Sequence, residues 1–135
     1  MRAVADTNVY ISALNFGGTA EEVLALARAR ALELFTSPSI LTEVEGVLIR
    51  KFHWSASRAR EATVLIREFT RLIHPETPLR VVTEDEPDNR ILECALAAQA
   101  EVIISGDSHL RRLQAFQGIP IMGPREFLER YPRWG

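Results

Sequence analysis

Four acidic residues, Asp6, Glu43, Asp88 and Asp107, come just after stretches of strand-like apolar sequence. The clearest case is the apolar run at 2–5, which stops abruptly on Asp6. Open α/β sheets bind their ligands at the carboxyl ends of the strands. Carboxylates gathered there cannot all ionise, and a hard divalent cation relieves their repulsion. The four acids therefore predict a site for Mg²⁺ or Mn²⁺ at one edge of a sheet.

The apolar pattern also predicts the elements that would position these acids. Helical periodicity predicts a short helix after Asp6 and another that opens with a capping box at Thr19. A helical hairpin follows, with starts at Ser37 and at Ser55 or Ser57 and an end at Ile73. Further helices are predicted after Asp88, after Asp107 and from Pro124. Apolar runs predict five strands, at 2–5, 32–35, 79–82, 102–105 and 119–122.

This alternation of strands and helices predicts a three-layer α/β/α fold with a mostly parallel central sheet of about five strands. Pro120 places the strand at 119–122 at a sheet edge, because proline cannot donate to the ladder. In a parallel sheet the strand-to-helix corners face the same way. The predicted topology therefore collects acids that are far apart in the sequence.

The composition, 47% hydrophobic and 25% charged over 135 residues, is typical of one soluble globular domain spanning 1–135. No apolar run approaches the roughly 20 residues of a membrane span. The N-terminus lacks the pattern of a signal peptide, and Cys94 is the only cysteine, which excludes an internal disulfide. We therefore expect a cytoplasmic protein with no membrane association.

The net charge of -2 argues against a nucleic-acid partner, which usually meets a basic surface. If the four acids bind metal, however, 14 of the 18 acidic residues remain against 16 basic ones. Bound divalent cations would also make the charge in the acidic pocket positive, so that the pocket could attract a phosphate. The overall charge therefore does not exclude a phosphate-containing substrate.

Each acid also has a plainer interpretation when it is taken singly. The helix dipole alone favours Asp88 in a first turn, and Asp85 could assist or replace it. Glu43 could be an ordinary solvent-facing helix residue. Asp6 and Asp107 are stronger candidates, because each ends what should be a central strand. Only the coincidence of all four favours a shared site.

These residues resemble the PIN domain in their order along essentially the whole chain. The resemblance is carried by Asp6-Thr7-Asn8 after the first strand, Glu43 within 37–43, Asp88 at a helix start, Ser105-Gly106-Asp107 after a strand and the closing segment 124–128. Small single-domain PIN proteins are mostly toxins of toxin-antitoxin pairs, of the VapC type. The resemblance thus implies a Mg²⁺- or Mn²⁺-dependent endoribonuclease with RNA as substrate and a protein antitoxin as partner.

When the site residues of the family are carried over by position, the resemblance implies that the four acids are the catalytic and metal-binding residues. Thr7, Asn8 and Ser105 match the family's polar companions, which would orient ligands or waters. Arg111 and Arg112 follow Asp107 closely enough to be candidate substrate contacts, with a solvated helix face as the alternative. We also expect a homodimer, because exposed aromatics anchor interfaces, and the candidates for dimer or antitoxin contact are Phe52, Trp54, Tyr131 and Trp134.

Other classes of protein also gather acids at the ends of strands. A receiver domain needs a lysine after its last strand, whereas Lys51 lies in a predicted helix. A haloacid-dehalogenase phosphatase needs a second acid where this chain has Asn8. Two alternatives stay open, namely a catalytically silent PIN-fold interaction module and an RNA-processing nuclease without an antitoxin.

Overall fold

The computed structural model describes residues 1–79 and 86–131, and for Glu86 it describes the backbone alone. None of the helices within these ranges combines the length and hydropathy that crossing a bilayer requires. The elements in chain order are β1 (Arg2–Ala5), α1 (Thr7–Asn15), α2 (Gly18–Arg28), β2 (Glu33–Thr36), α3 (Pro38–Phe52), α4 (Ala56–Phe69), β3 (Thr70–Leu72), α5 (Glu86–Ala98), β4 (Val102–Ile104), α6 (Ser108–Arg111), β5 (Ala115–Phe116), β6 (Ile119–Met122) and α7 (Pro124–Arg130).

Within residues 1–79 and 86–131 the sheet has six strands in the order β3-β2-β1-β4-β6-β5, and of these only β5 runs antiparallel to its neighbour. β1 lies at the centre, where Val4 pairs with Phe35 of β2 and with Ile103 of β4. The carboxyl ends of β1, β2 and β4 therefore lie at one edge of the sheet. The predicted α/β class with a mostly parallel sheet is confirmed.

The two central strands are buried on both sides. Consecutive residues of a strand point to opposite faces, and Ala3, Val4 and Ala5 of β1 are all 0% exposed. The three residues of β4 are equally buried. Helices therefore cover both faces of the sheet, which explains why these strands are continuous apolar runs rather than alternating ones.

The predicted long helix to Ile73 is wrong at its end, because α4 stops at Phe69 and residues 70–72 form the edge strand β3. Thr70 turns the chain there, and its hydroxyl donates to the Ile66 carbonyl oxygen at 2.8 Å. Pairing with β2 then supplies backbone hydrogen bonds that the helix would otherwise have made. In the strand predicted at 79–82, Leu79 is not in a strand, and residues 80–82 lie outside the described residues.

The capping box predicted at Thr19 is also wrong. α2 begins at Gly18, and its N-cap, Gly17, makes no side-chain capping hydrogen bond. Gly17 has φ +77°, a left-handed conformation that glycine adopts without a steric penalty. α2 therefore begins at a sharp turn formed by Gly17, without a hydroxyl side chain that caps the helix.

β6 is not the edge strand that Pro120 suggested. β5 pairs with it antiparallel, with Ala115 opposite Pro120 and Phe116 opposite Ile119. A strand of two residues has no period that could be read from the sequence. Because β5 has only two residues, its pairing with β6 is short. β6 therefore tolerates Pro120, although proline cannot donate a hydrogen bond to the ladder.

Candidate active site

The four predicted acids meet in one cavity of about 180 Å³ at the carboxyl edge of the central strands. Asp6 follows β1 and Asp107 follows β4, while Glu43 and Asp88 reach the cavity from α3 and α5. The other lining residues are Thr7, Asn8, Val47, Lys51, Pro87 and Ile91. The structure therefore brings together all four acids that the sequence singled out.

The side chain of Asp6 is buried, at 3% exposed. It is the N-cap of α1, and its carboxylate accepts a hydrogen bond from the Val9 backbone N–H at 3.0 Å. Burial raises the pKa of Asp6 to about 6, although hydrogen bonds from Ser105 and Val9 oppose the rise, and the nearby charge of Asp107 adds to it. The protein therefore holds this carboxylate in an environment that disfavours its charge.

Ser105 connects the two acids that end the central strands. Its side chain is 0% exposed. The hydroxyl donates a hydrogen bond to the Asp6 carboxylate and accepts one from the Asp107 backbone N–H at 2.9 Å. This buried hydroxyl therefore orients Asp6 and the start of the Asp107 loop together, while its role beside a metal ion stays a prediction.

We expect Ser105→Ala to weaken Mn²⁺ binding by about 10- to 100-fold, the usual cost of removing a group that orients a metal ligand. Calorimetric titration of Mn²⁺ would measure the change. Ser57→Ala serves as the matched control, because Ser57 is exposed on α4 and does not line the cavity. An unchanged Mn²⁺ affinity in the folded Ser105→Ala protein would contradict the role given to this hydroxyl.

Asp107 follows Gly106 and is the N-cap of α6. Its Oδ1 accepts hydrogen bonds from the backbone N–H of His109 at 2.7 Å and of Leu110 at 3.3 Å. The side chain is 16% exposed. Capping therefore fixes the carboxylate at the cavity wall while solvent still reaches it.

Asp88, Asp107 and His109 each offer a ligand atom, and these atoms lie within 4.8 Å of one another. Asp88 is 5% exposed, and His109 Nδ1 lies 3.7 Å from Asp107 Oδ1. The pattern of four acids in the sequence does not include His109. Its place two positions after Asp107 was the available signal, because the short helix α6 turns both side chains toward the same point.

Glu43 contributes from about one and a half turns into α3. Its side chain is 32% exposed, and Arg50 of the same helix lies 3.8 Å from its carboxylate. Lys51 also lines the cavity and makes no ion pair within 4.0 Å to any described residue. The sequence analysis did not predict Lys51, which was used there only to exclude a receiver domain.

Of the remaining predicted residues that the structure describes, some line the carboxylate cavity and others do not. Thr7 and Asn8 line the cavity, but Arg111 and Arg112 do not. Both arginines are exposed, and their contact with substrate stays a prediction. Asp85 lies outside the described residues.

The predicted interface aromatics have contacts within the chain. Arg58 lies over the ring of Trp54 at 3.8 Å, and Tyr131 packs against Phe127 with ring centroids 5.1 Å apart. Phe52 is half-buried, and Trp134 lies outside the described residues. Dimer or antitoxin contact by these aromatics stays a prediction.

Comparison with known proteins agrees with this architecture. The chain is similar to one in the crystal structure of VapBC2 from Rickettsia felis bound to a DNA fragment from their promoter, with 16% identity and a TM-score of 0.64 over 90% of this chain and 97% of that chain. Identity this low supports the fold alone. No curated protein matches. The model of the PIN domain family matches residues 2–109, which include all four acids. The chain therefore belongs to the PIN domain family.

Proposed function

We propose that this protein is a Mg²⁺- or Mn²⁺-dependent endoribonuclease and the toxin component of a toxin-antitoxin pair. The observation that carries the proposal is the cavity shared by Asp6, Glu43, Asp88 and Asp107. It lies in a chain of the PIN domain family, whose members are nucleases. Four carboxylates in one small cavity are poorly suited to bind an anionic substrate unless cations accompany it.

The donor atoms fit a hard divalent cation. Carboxylate oxygens are the ligands that Mg²⁺ and Mn²⁺ prefer, and His109 adds a nitrogen at the edge of the cluster. Burial raises the pKa of Asp6, so the charged carboxylate is costly without a positive partner. When bound, the cation would supply Lewis-acid chemistry that polarises water and a phosphate oxygen.

We propose a distinct task for each group of residues. Asp6 and Asp107 would hold the cation, together with Glu43 and Asp88. Ser105 holds the Asp6 carboxylate in one orientation through its hydroxyl.

Thr7 and Asn8 line the cavity, where their side chains would orient the attacking water and the scissile phosphate. Water adds to phosphorus as the bond to the 3′ oxygen breaks, and the leaving oxygen takes the proton. The products carry a 5′-phosphate and a 3′-hydroxyl.

An apolar groove supports the proposal of an antitoxin partner. It has a volume of about 440 Å³ and lies between α1, α2 and α4. Leu65 of α4 lines it and is 58% exposed. The groove shares no lining residue with the carboxylate cavity, and exposed apolar surface of this kind marks protein interfaces. We propose that the antitoxin binds here; a homodimer stays a prediction.

The test is cleavage of a pool of tRNA, rRNA and synthetic single-stranded RNA with Mn²⁺ and with EDTA. We expect cleavage with Mn²⁺ only, and at least about tenfold slower cleavage by Glu43→Gln. Glu22→Gln is the matched control, because Glu22 is exposed on α2 and outside the cavity. A further reaction contains the protein encoded beside this chain, which should suppress cleavage if it is the antitoxin.

The outcomes separate the alternatives. Mn²⁺ binding without cleavage of any RNA would favour a catalytically silent interaction module. Cleavage that the neighbouring protein does not suppress would favour a processing nuclease without an antitoxin. Equal cleavage by wild type and Glu43→Gln would mean that this carboxylate is not in the active site.

A further inference from the structure

A second groove adjoins the carboxylate cavity at Asn8 and is lined by residues along α1. Its volume is about 400 Å³, and its lining includes Asn8, Ser12, Phe16 and Gly106. Asn8 lines both the cavity and the groove, and Gly106 immediately precedes Asp107. A chain-like ligand that occupies the cavity can therefore continue into this groove.

Phe16 stands at the far end of the groove and is 77% exposed, more than any other large apolar side chain that the structure describes. Its ring meets the ring of Phe52 edge to face, with centroids 6.1 Å apart. A single exposed apolar residue is ordinary on a protein surface. The position of this one, at the end of a groove that begins at the carboxylates, is what suggests a ligand.

The exposed face of α1 runs from the carboxylate cavity to Phe16. Asn8 and Ser12 lie four residues apart on one side of α1, and Phe16 follows four residues later as the C-cap residue just beyond the end of the helix. The rise of an α-helix separates the first from the last by about 12 Å. This side of α1 therefore presents two polar groups and then an aromatic ring.

Lys51 supplies the charge that such a ligand would need. It lines the carboxylate cavity and immediately precedes Phe52, the residue that contacts Phe16. Among the described residues it makes no ion pair, and no acidic residue belongs to the described lining of the groove. Single-stranded nucleic acid is bound by this combination of a cation for the backbone and an aromatic ring for a base.

We propose that the RNA strand beside the scissile phosphate runs along α1, with a backbone phosphate at Lys51 and an unpaired base stacked on Phe16. This inference rests on the proposed nuclease function and assigns Lys51 and Phe16 to contacts with the strand. A base within a duplex is already stacked on its neighbours and cannot lie on a side chain in this way.

The test measures RNA affinity in an Asp107→Asn background, which is expected to prevent cleavage, with a labelled single-stranded RNA and Mn²⁺. Phe16→Ala should weaken binding by about 5- to 100-fold without changing its salt dependence, and Phe16→Trp should restore it. Lys51→Gln should lower the slope of log affinity against log salt by about 0.7, and Lys51→Arg should retain the slope. Val64→Ala is the matched control, since Val64 is 52% exposed on α4.

A second arm moves one abasic nucleotide stepwise along the RNA. Affinity should fall when the missing base is the one that stacks on Phe16, and Phe16→Ala should be insensitive to the abasic nucleotide at that position. This readout separates base stacking from a general loss of structure, which would weaken binding of every RNA alike.

The results distinguish failure of this inference from failure of the proposed function. If the protein with Asp107 intact cleaves RNA while Phe16→Ala and Lys51→Gln bind as tightly as their parent, the strand path is wrong and the nuclease stands. If cleavage is absent but both variants weaken binding as expected, the strand path stands without the nuclease. Absence of RNA binding, or loss of self-association alone in Phe16→Ala, would overturn the inference.

Discussion

Asp107→Asn is expected to lower RNA cleavage by more than about 100-fold while the protein stays folded. Asn is as good an N-cap as Asp, so the hydrogen bonds from the His109 and Leu110 N–H groups to the side chain can persist. The substitution removes the negative charge, which a divalent cation requires from a central ligand. Even residues that only orient metal ligands contribute 10- to 100-fold, so a direct ligand should contribute more.

Single-turnover cleavage with saturating Mn²⁺ measures this prediction, and thermal unfolding in EDTA verifies the fold. Glu129→Gln on α7 is the matched control, because it removes one negative charge from an exposed position outside the cavity. Cleavage by folded Asp107→Asn at the rate of the control would refute a central role for this carboxylate.

Asp6→Asn is expected to stabilise the metal-free protein at neutral pH. Burial raises the pKa of Asp6 from 3.8 to about 6, so the folded protein binds this proton more tightly than the unfolded chain does. Stability from this group is therefore complete below about pH 4 and is lost as the pH rises to about 6. The neutral amide avoids that loss, which is on the order of 3 kcal/mol in the free energy of unfolding.

Thermal unfolding in EDTA between pH 4 and pH 8 measures the effect. The difference in Tm between Asp6→Asn and wild type should be near zero at the acid end, grow to several °C by about pH 6 and then stay level. The amide can keep the cap by accepting from the Val9 N–H, and the Ser105 hydroxyl can rotate to accept from its NH₂. Mn²⁺ should reverse the order, because it stabilises wild type by binding the carboxylate. A pH-independent difference would mean that charge burial at Asp6 is not the cause.

The sequence by itself determined the fold class and which four acids would lie together at one edge of the sheet. Continuous apolar runs at β1 and β4 indicate strands buried on both faces, and an acid directly after such a run lies at the carboxyl edge of a parallel sheet. Ser37 and Pro38 predicted the start of α3, and the Ser37 hydroxyl accepts from the Ile40 N–H at 3.3 Å. These predictions succeeded for two reasons. The helix start depends on residues that are close together in the chain, and the position of the acids follows from strand burial and from the rule that parallel strands end at the same edge of the sheet.

Only the tertiary structure decided the details that depend on contacts between distant residues. Residues 70–72 became a strand because β2 offered a pairing edge, and the two residues of β5 have no pattern of their own. Lys51 joined the carboxylate cavity because α3 turns it toward the acids, which no local spacing specifies, and only the fold brings His109 within reach of Asp88. The burial that raises the pKa of Asp6 likewise arises from elements far apart in the chain, since Ser105 is 99 residues away from it.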